Sequence, residues 1–334
     1  MELIINTYGA YLHVKDEMFE VKIRLKDVPT PQIHYFAVHK VKTILLSMGT
    51  ALSSDAVRLA MKNNVDIVFL ENDGHPIGRV WHSKFGSTTK IRKRQLEASL
   101  GVDGLNAIKE WLTTKLDNQK DFIKDLLKHR PQHEDYLKDK IQRIEALSLS
   151  IKTQEGKQTS DVADTIRGLE GTAGRLYFET LTYVLPKEHQ FEGRSSRPAK
   201  DAFNAFLNYA YGVLYSKVER SLIIAGLDPY VGFMHRDDYN QLSFVYDFIE
   251  PFRTFADNVV FKLFSAKKVN KTHTTEITNG VSLNKEGKVL LMNAFSDYMN
   301  EDAIRYKGRN QTRTNIIQQE AHAFAQQLIE TTIV

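Results

Sequence analysis

Over residues 1–84 apolar and polar side chains alternate in short runs, the period of half-buried strands. Leu3 to Asn6, Tyr11 to Val14 and Phe19 to Ile23 read as strands, with turns at Gly9 and at Lys15–Asp16–Glu17. Further strands are predicted at Tyr35 to His39, Thr43 to Leu46, Asp66 to Leu70 and Ile77 to His82. Between them Ser53 or Ser54 caps a short helix through Asn64, with Val57, Ala60 and Met61 on its inner face. From Gln95 the period lengthens to that of a helix: Leu96, Leu100, Ile108, Trp111, Leu112, Leu116, Phe122, Ile123, Leu126 and Leu127 recur three or four positions apart. Arg130 and Pro131 interrupt, and Tyr136, Ile141, Ile144 and Leu147 resume the pattern. Strong helices are predicted over Val162 to Val184, Ala202 to Ala225 and Tyr239 to Ser265, with a loop or a short excursion over 269–290 before a helical tail to about Ile329. The pattern gives an α+β class: a β-rich N-terminal domain (1–84), a Ser/Thr/Lys-rich linker (85–94) and a larger all-α domain (95–334).

Composition narrows the chemistry. The chain has 334 residues and 42% hydrophobic content, enough for two buried cores, and no cysteine. Disulfides, zinc–thiolate sites and thiol nucleophiles are therefore excluded, which fits a reducing compartment, the cytoplasm. The N-terminus lacks a signal-peptide pattern, and no apolar run is long enough to cross a bilayer. Net charge is +4, but the basic residues cluster: Lys90, Arg92, Lys93 and Arg94; Lys267, Lys268 and Lys271; Arg305, Lys307, Arg309 and Arg313. No phosphate-cradling Walker loop, dinucleotide fingerprint, HExxH or nucleophile elbow is present.

Candidate chemistry falls in the helical domain. Glu170 lies in a helix with glycines at 168, 171 and 174, each costing about 1 kcal/mol relative to Ala, so their smallness has a purpose. Close helix packing and the approach of a substrate backbone both explain it. His235 follows a helix stop at Gly226 and Pro229, on a connector where its side chain can face a cleft. Asp247 and Glu250 stand one turn apart on one face of a mostly apolar helix, and like charges there need a cation or a proton. Arg253 competes as a simple ion-pair partner, and Pro251 bends the helix beside them. One imidazole and several carboxylates suit a hard divalent ion, Mg²⁺ or Mn²⁺, acting on phosphate. Arg92, Arg94, Arg194, Arg197, Arg253, Arg309 and Arg313 are the arginines expected to meet a DNA backbone. Ser243 has no base beside it and makes no nucleophile.

Four ordered segments carry a family resemblance: a GxEGxAxxxYF-like stretch at Gly168 to Phe178, an RSxRPxxDxxNxxLNYxY-like stretch at Arg194 to Tyr211, GLDPxxGFxH at Gly226 to His235, and DxxEPFR at Asp247 to Arg253. In that order they resemble the CRISPR-associated integrase of spacer acquisition, Cas protein number one. The resemblance spans nearly the whole chain. It implies a homodimer built through the N-terminal domains that joins a small partner, Cas protein number two, in a heterohexameric complex. It further implies insertion of protospacer DNA into the CRISPR repeat array by 3′-hydroxyl attack on a phosphodiester. By the same resemblance Glu170, His235 and Asp247 bind the metal, and Glu250 takes the place of a further acidic residue in an auxiliary role. Ala199–Lys200 stand where a second proline is common. The alternatives are a stand-alone metal-dependent nuclease acting on branched or linear DNA, and a non-enzymatic DNA-binding subunit in which Asp247, Glu250 and Arg253 form only an ion-pair network.

Overall fold

The fold is described from a computed structural model covering residues 1–24, 30–71, 74, 76–80, 88–235 and 241–330. The chain divides into two compact units, Met1–Phe85 and Gly86–Val334.

The first unit holds two four-stranded sheets. In one, β1 (Glu2–Ile5), β5 (Thr43–Ser47) and β7 (Asp66–Leu70) run parallel in the order β1-β5-β7-β8, with β8 (Pro76–Val80) antiparallel at the edge. In the other, β4 (Gln32–Ala37), β3 (Met18–Ile23) and β2 (Tyr11–Lys15) form an antiparallel meander, and β6 (Ala51–Leu52) adds parallel to β2. Asp16 and Glu17 both take positive φ (51° and 57°) at the β2–β3 turn, the twist a two-residue hairpin demands. Helix α1 (Ser54–Lys62) is capped by Ser53, whose side chain accepts from the Ala56 amide at 3.1 Å. Leu3, Ile5, Leu12, Phe19, Ile44, Ala56, Ala60 and Ile67 form the core. Two details differ from the sequence pattern. Strand β4 starts earlier and gives way to a 3₁₀ turn at Val38–Lys40, and β6 is too short to leave a periodic signal. Trp81 and His82, the end of the last predicted strand, lie outside the described residues.

The second unit is helical: α2 (Thr88–Ser99), α3 (Val102–Lys128), α4 (Glu134–Lys152), α5 (Ala163–Val184), α6 (Ala202–Ala225), α7 (Ser243–Phe248), α8 (Arg253–Ser265), α9 (Lys285–Asn300) and α10 (Arg313–Glu330). Helix α6 is largely apolar and buried around most of its circumference, α8 and α10 packing against it. Asp201 caps it by accepting from the Asn204 amide at 2.8 Å, and Gly226 ends it in the left-handed conformation at φ 84°. Trp111 of α3 anchors an aromatic cluster with Phe233, Phe244, Phe248 and Phe324, at ring separations of 5.1–5.9 Å.

Three expectations need correction here. The linker at 85–94 is helix α2 from Thr88 onward; its buried face is Ile91, Gln95 and Ala98, leaving Leu96 and Leu100 exposed. The helix expected over Tyr239 to Ser265 is broken, because Pro251 lacks an amide and a 3₁₀ turn at Glu250–Phe252 separates α7 from α8. Its start at Tyr239 lies outside the described residues. The helical domain is not purely α: antiparallel pairs β9 (Thr274–Ile277) with β10 (Gly280–Leu283), and β11 (Ile304–Tyr306) with β12 (Arg309–Gln311), occupy the stretches rich in Thr, Gly and Arg. Among the described residues no helix is long and apolar enough to cross a membrane.

Candidate active site

The segment between α6 and α7 is drawn onto a single carboxylate. Asp247 is fully buried, and its Oδ2 accepts from the amides of Phe233 (2.6 Å) and Met234 (3.0 Å). Its Oδ1 accepts from the His235 amide at 3.2 Å and from His235 Nδ1 at 2.6 Å. Four donors fill the acceptor positions of one carboxylate. Because Nδ1 carries the proton toward Asp247, the imidazole presents Nε2 outward, and the His235 side chain is 35% exposed. Gly232 makes the turn possible, since a Cβ there would stand 2.6 Å from that of Ser243.

The same segment is fixed from outside by two residues that the sequence reading passed over. Gln95 of α2 donates to the carbonyls of Asp228 (2.9 Å) and Val231 (3.1 Å) and accepts from the Asp228 amide (2.8 Å). Arg167, one turn before Glu170 on α5, donates to the Met234 carbonyl at 2.8 Å.

Glu170 and Glu250 meet a different partner. The ammonium of Lys115, on α3, lies 2.5 Å from Glu170 Oε1 and 2.6 Å from Glu250 Oε2, with its side chain 7% exposed. Glu250 Oε1 is gripped by Arg253 through Nε (2.8 Å) and Nη2 (2.7 Å). Burial opposes charge on Glu250, but the Arg253 and Lys115 cations beside it hold its carboxyl down at about 2. Burial likewise opposes charge on Lys115, and Glu250 and Glu170 outweigh it, so the ammonium is held charged. Arg253 lies over the rings of Tyr211 and Tyr215. Deeper still, Asp257 accepts from Tyr211 (2.6 Å) and Tyr177 (3.1 Å), and burial pushes its carboxyl up to about 6 against those two hydroxyls.

Asp247 and Glu250 therefore do not share a face. The 3₁₀ turn that follows α7 sends one carboxylate toward the His235 segment and the other toward α3 and α5. Among the described residues no three His, Asp or Glu side chains are grouped to hold a metal ion as they stand. Carboxylates and an imidazole are nonetheless donor types that a hard divalent cation accepts. Two carboxylates already share one cation, and the partly exposed imidazole of His235 sits on a segment tied to the Glu170 helix by Arg167.

A cavity of about 570 Å³ opens beside Glu170, its lining including Lys115, Gly171, Gly174, Arg175, Arg194 and Arg253. A Cβ on Gly168, Gly171 or Gly174 would meet nothing within 4 Å. Close helix packing is thus not what these glycines serve, and Gly171 and Gly174 leave space open beside Glu170.

The arginines expected at DNA divide. Arg197 and Arg309 are exposed, and Arg194 lies over Phe178 and Tyr211 at the cavity. Arg92 is half-exposed, 3.8 Å from Asp228. Arg94 is bound to Glu97 at 2.6 Å, and Arg253 is committed to Glu250. Arg313 is buried, donates to the carbonyls of Tyr298 (2.8 Å) and Asp302 (3.0 Å) and stacks on Tyr298, so its role is to join α9 to α10.

A family profile described as CRISPR associated protein Cas1 matches residues 3–297. The chain belongs to the Cas1 family. It is 30% identical over 328 residues to the CRISPR-associated endonuclease Cas1 1 of Archaeoglobus fulgidus, covering 95% of this chain and 93% of that protein. It is also 30% identical over 289 residues to the CRISPR-associated protein Cas1 3 of Methanobrevibacter ruminantium, covering 85% and 84%. In fold it resembles a casposase bound to integration product, with a TM-score of 0.82 at 22% identity over 100% of this chain and 92% of that one. A Cas1 protein from Thermotoga maritima superposes with a TM-score of 0.77 at 21% identity, over 100% and 98%.

Proposed function

We propose that this Cas1 family protein is a divalent-metal-dependent DNA integrase of CRISPR adaptation, joining a 3′-hydroxyl of incoming DNA to a phosphodiester of the repeat array. With water as nucleophile the same site cuts DNA. The observation that carries this reading is the open face of α5: Glu170 beside Gly171 and Gly174, fronting a cavity edged by Arg175 and Arg194. A phosphate backbone needs that combination of clearance, cation and acid in one place.

The metal we assign is Mg²⁺ or Mn²⁺, held by Glu170, Glu250 and His235 Nε2. Asp247 leaves the ligand set expected from the resemblance, because its four hydrogen bonds spend it on orienting His235. When bound, the ion polarises the scissile phosphodiester and neutralises charge on the departing 3′-oxygen. The protein side of the reaction is positional. Asp247 fixes the imidazole tautomer, Gln95 and Arg167 hold the segment that carries it, and Arg253 keeps Glu250 ionised and in place. Arg194 offers its guanidinium to the DNA at the cavity. The partners that go with this reading are protospacer and repeat DNA, a second copy of the chain and a Cas2 protein.

The test supplies a fluorescent duplex with free 3′-hydroxyls, a repeat-containing plasmid and Mn²⁺. Strand joining that is lost in Glu170→Gln is the expected result. Cutting without joining would leave a stand-alone nuclease, and neither joining nor cutting in Mn²⁺ would leave a non-enzymatic DNA-binding subunit.

A further inference from the structure

We propose that Lys115 is a built-in counter-cation of this site, holding Glu170 and Glu250 together without a divalent ion and yielding to that ion when it binds. The inference rests on the metal reading above and concerns what that ion must displace.

The geometry is specific. Glu170 comes from α5 and Glu250 from the turn after α7, and the Lys115 ammonium lies within 2.6 Å of both. It is delivered there by a pinned stretch of helix. One turn earlier Trp111 stacks on Phe233, and one turn later Asn118 donates to the Pro251 carbonyl at 2.8 Å. Lysines farther along α3 behave differently: Lys124 and Lys128 are exposed and pair with aspartates on their own helix. Without a cation between them, the buried Glu250 and the partly exposed Glu170 would repel each other, and Glu250 would keep only Arg253 to offset its burial.

The cation is also an exchangeable one. A lysine carries its charge as a point at the end of four flexible carbons, whereas Arg253 is fixed by two bonds to Glu250 and by the Tyr211 and Tyr215 rings. Lys115 borders the cavity beside Gly171 and Gly174, so its ammonium has somewhere to go. Because Arg253 holds the other oxygen of Glu250, that carboxylate stays ionised throughout the exchange. The displaced ammonium would then stand beside the bound phosphate.

The experiment measures Mn²⁺ binding to the full-length protein by calorimetry, together with thermal unfolding in chelator and in Mn²⁺. Lys115→Met is expected to bind Mn²⁺ at least tenfold tighter than the unaltered protein, to melt lower in chelator, and to regain most of the loss when Mn²⁺ is added. Lys115→Arg keeps the charge on a group that yields less easily, and is expected to melt normally while binding Mn²⁺ no better than the unaltered protein. Equal or weaker Mn²⁺ binding by Lys115→Met, or its failure to fold even in saturating Mn²⁺, would overturn the inference while leaving the metal reading standing. Absence of Mn²⁺ binding to every form, with Glu170→Gln as the reference, would overturn both.

Discussion

Asp247 and Glu250 are three residues apart and both buried, yet they are held by opposite means. Asp247 is bound by backbone amides and one imidazole, partners that cannot leave without unmaking the chain path. Glu250 is bound by the side chains of Lys115 and Arg253, of which one can move away. A carboxylate wrapped in amides is an anchor, and a carboxylate facing cationic side chains is a ligand in waiting. Spacing along a helix does not distinguish the two; the identity of the donors does.

The comparison yields graded expectations. Glu170→Gln should have the largest effect, lowering strand joining by 10³-fold or more with little change in melting temperature, since a carboxylate that shares a cation is lost from a partly open position. Next, Asp247→Asn should reduce both joining and stability. Its amide would face backbone N–H groups that need acceptors, a mismatch on the order of 3 kcal/mol. Glu250→Gln should instead weaken Mn²⁺ binding more than it lowers the melting point; the reverse order for these two variants would erase the distinction between anchor and ligand. Gly174→Leu should be milder and of mixed sign: joining falls about tenfold as the cavity fills, while stability is unchanged or rises by up to about 1 kcal/mol from the better helix former.

The smallest effect is one of pH. Asp257 is an interior carboxylate with hydroxyl partners, and its folded carboxyl titrates at about 6, above the unfolded value. The raised value means that its contribution to stability is fully present below about pH 4 and is lost as pH rises through about 6. Asp257→Asn should flatten that slope in urea unfolding followed from pH 4 to 7. An unchanged slope would mean that the tyrosine hydroxyls keep the carboxylate charged at all pH values.

Much of this was legible in the chain. The bounds of α5 and α6, the cap at Ser53, one of two serines the pattern offers, the Gly226 stop and most strand runs of the first unit follow from local pattern, because each is decided within a few residues. The four candidate residues were also marked by composition: a histidine after a helix stop, acids in apolar company, and glycines where a helix does not want them. What could not be read is which partner each acid takes. Lys115 lies 55 positions from Glu170 and sits in a helix rich in lysines, where its spacing reads as part of a solvated face. Gln95 stands at the start of the helical period, just past a Ser/Thr/Lys-rich stretch with the look of a connector, and nothing in the periodicity marks its reach to Asp228 and Val231. Arg313 misled for the converse reason: a basic cluster suggests an exposed surface, and the interior carbonyls that claim its guanidinium come from residues earlier in the chain.

Trp111, Lys115 and Asn118 fall on one stripe of α3, and each touches a different strip of chain. That helix is therefore the gauge of the whole arrangement, setting over roughly 10 Å of axial rise how far the imidazole segment, the acid pair and the Pro251 bend stand from one another. A single residue inserted between Trp111 and Asn118 would swing one end of the stripe by about 100° while leaving the helix itself content. The tolerance of this protein to length change should thus be narrowest in a stretch that contains none of the proposed metal ligands.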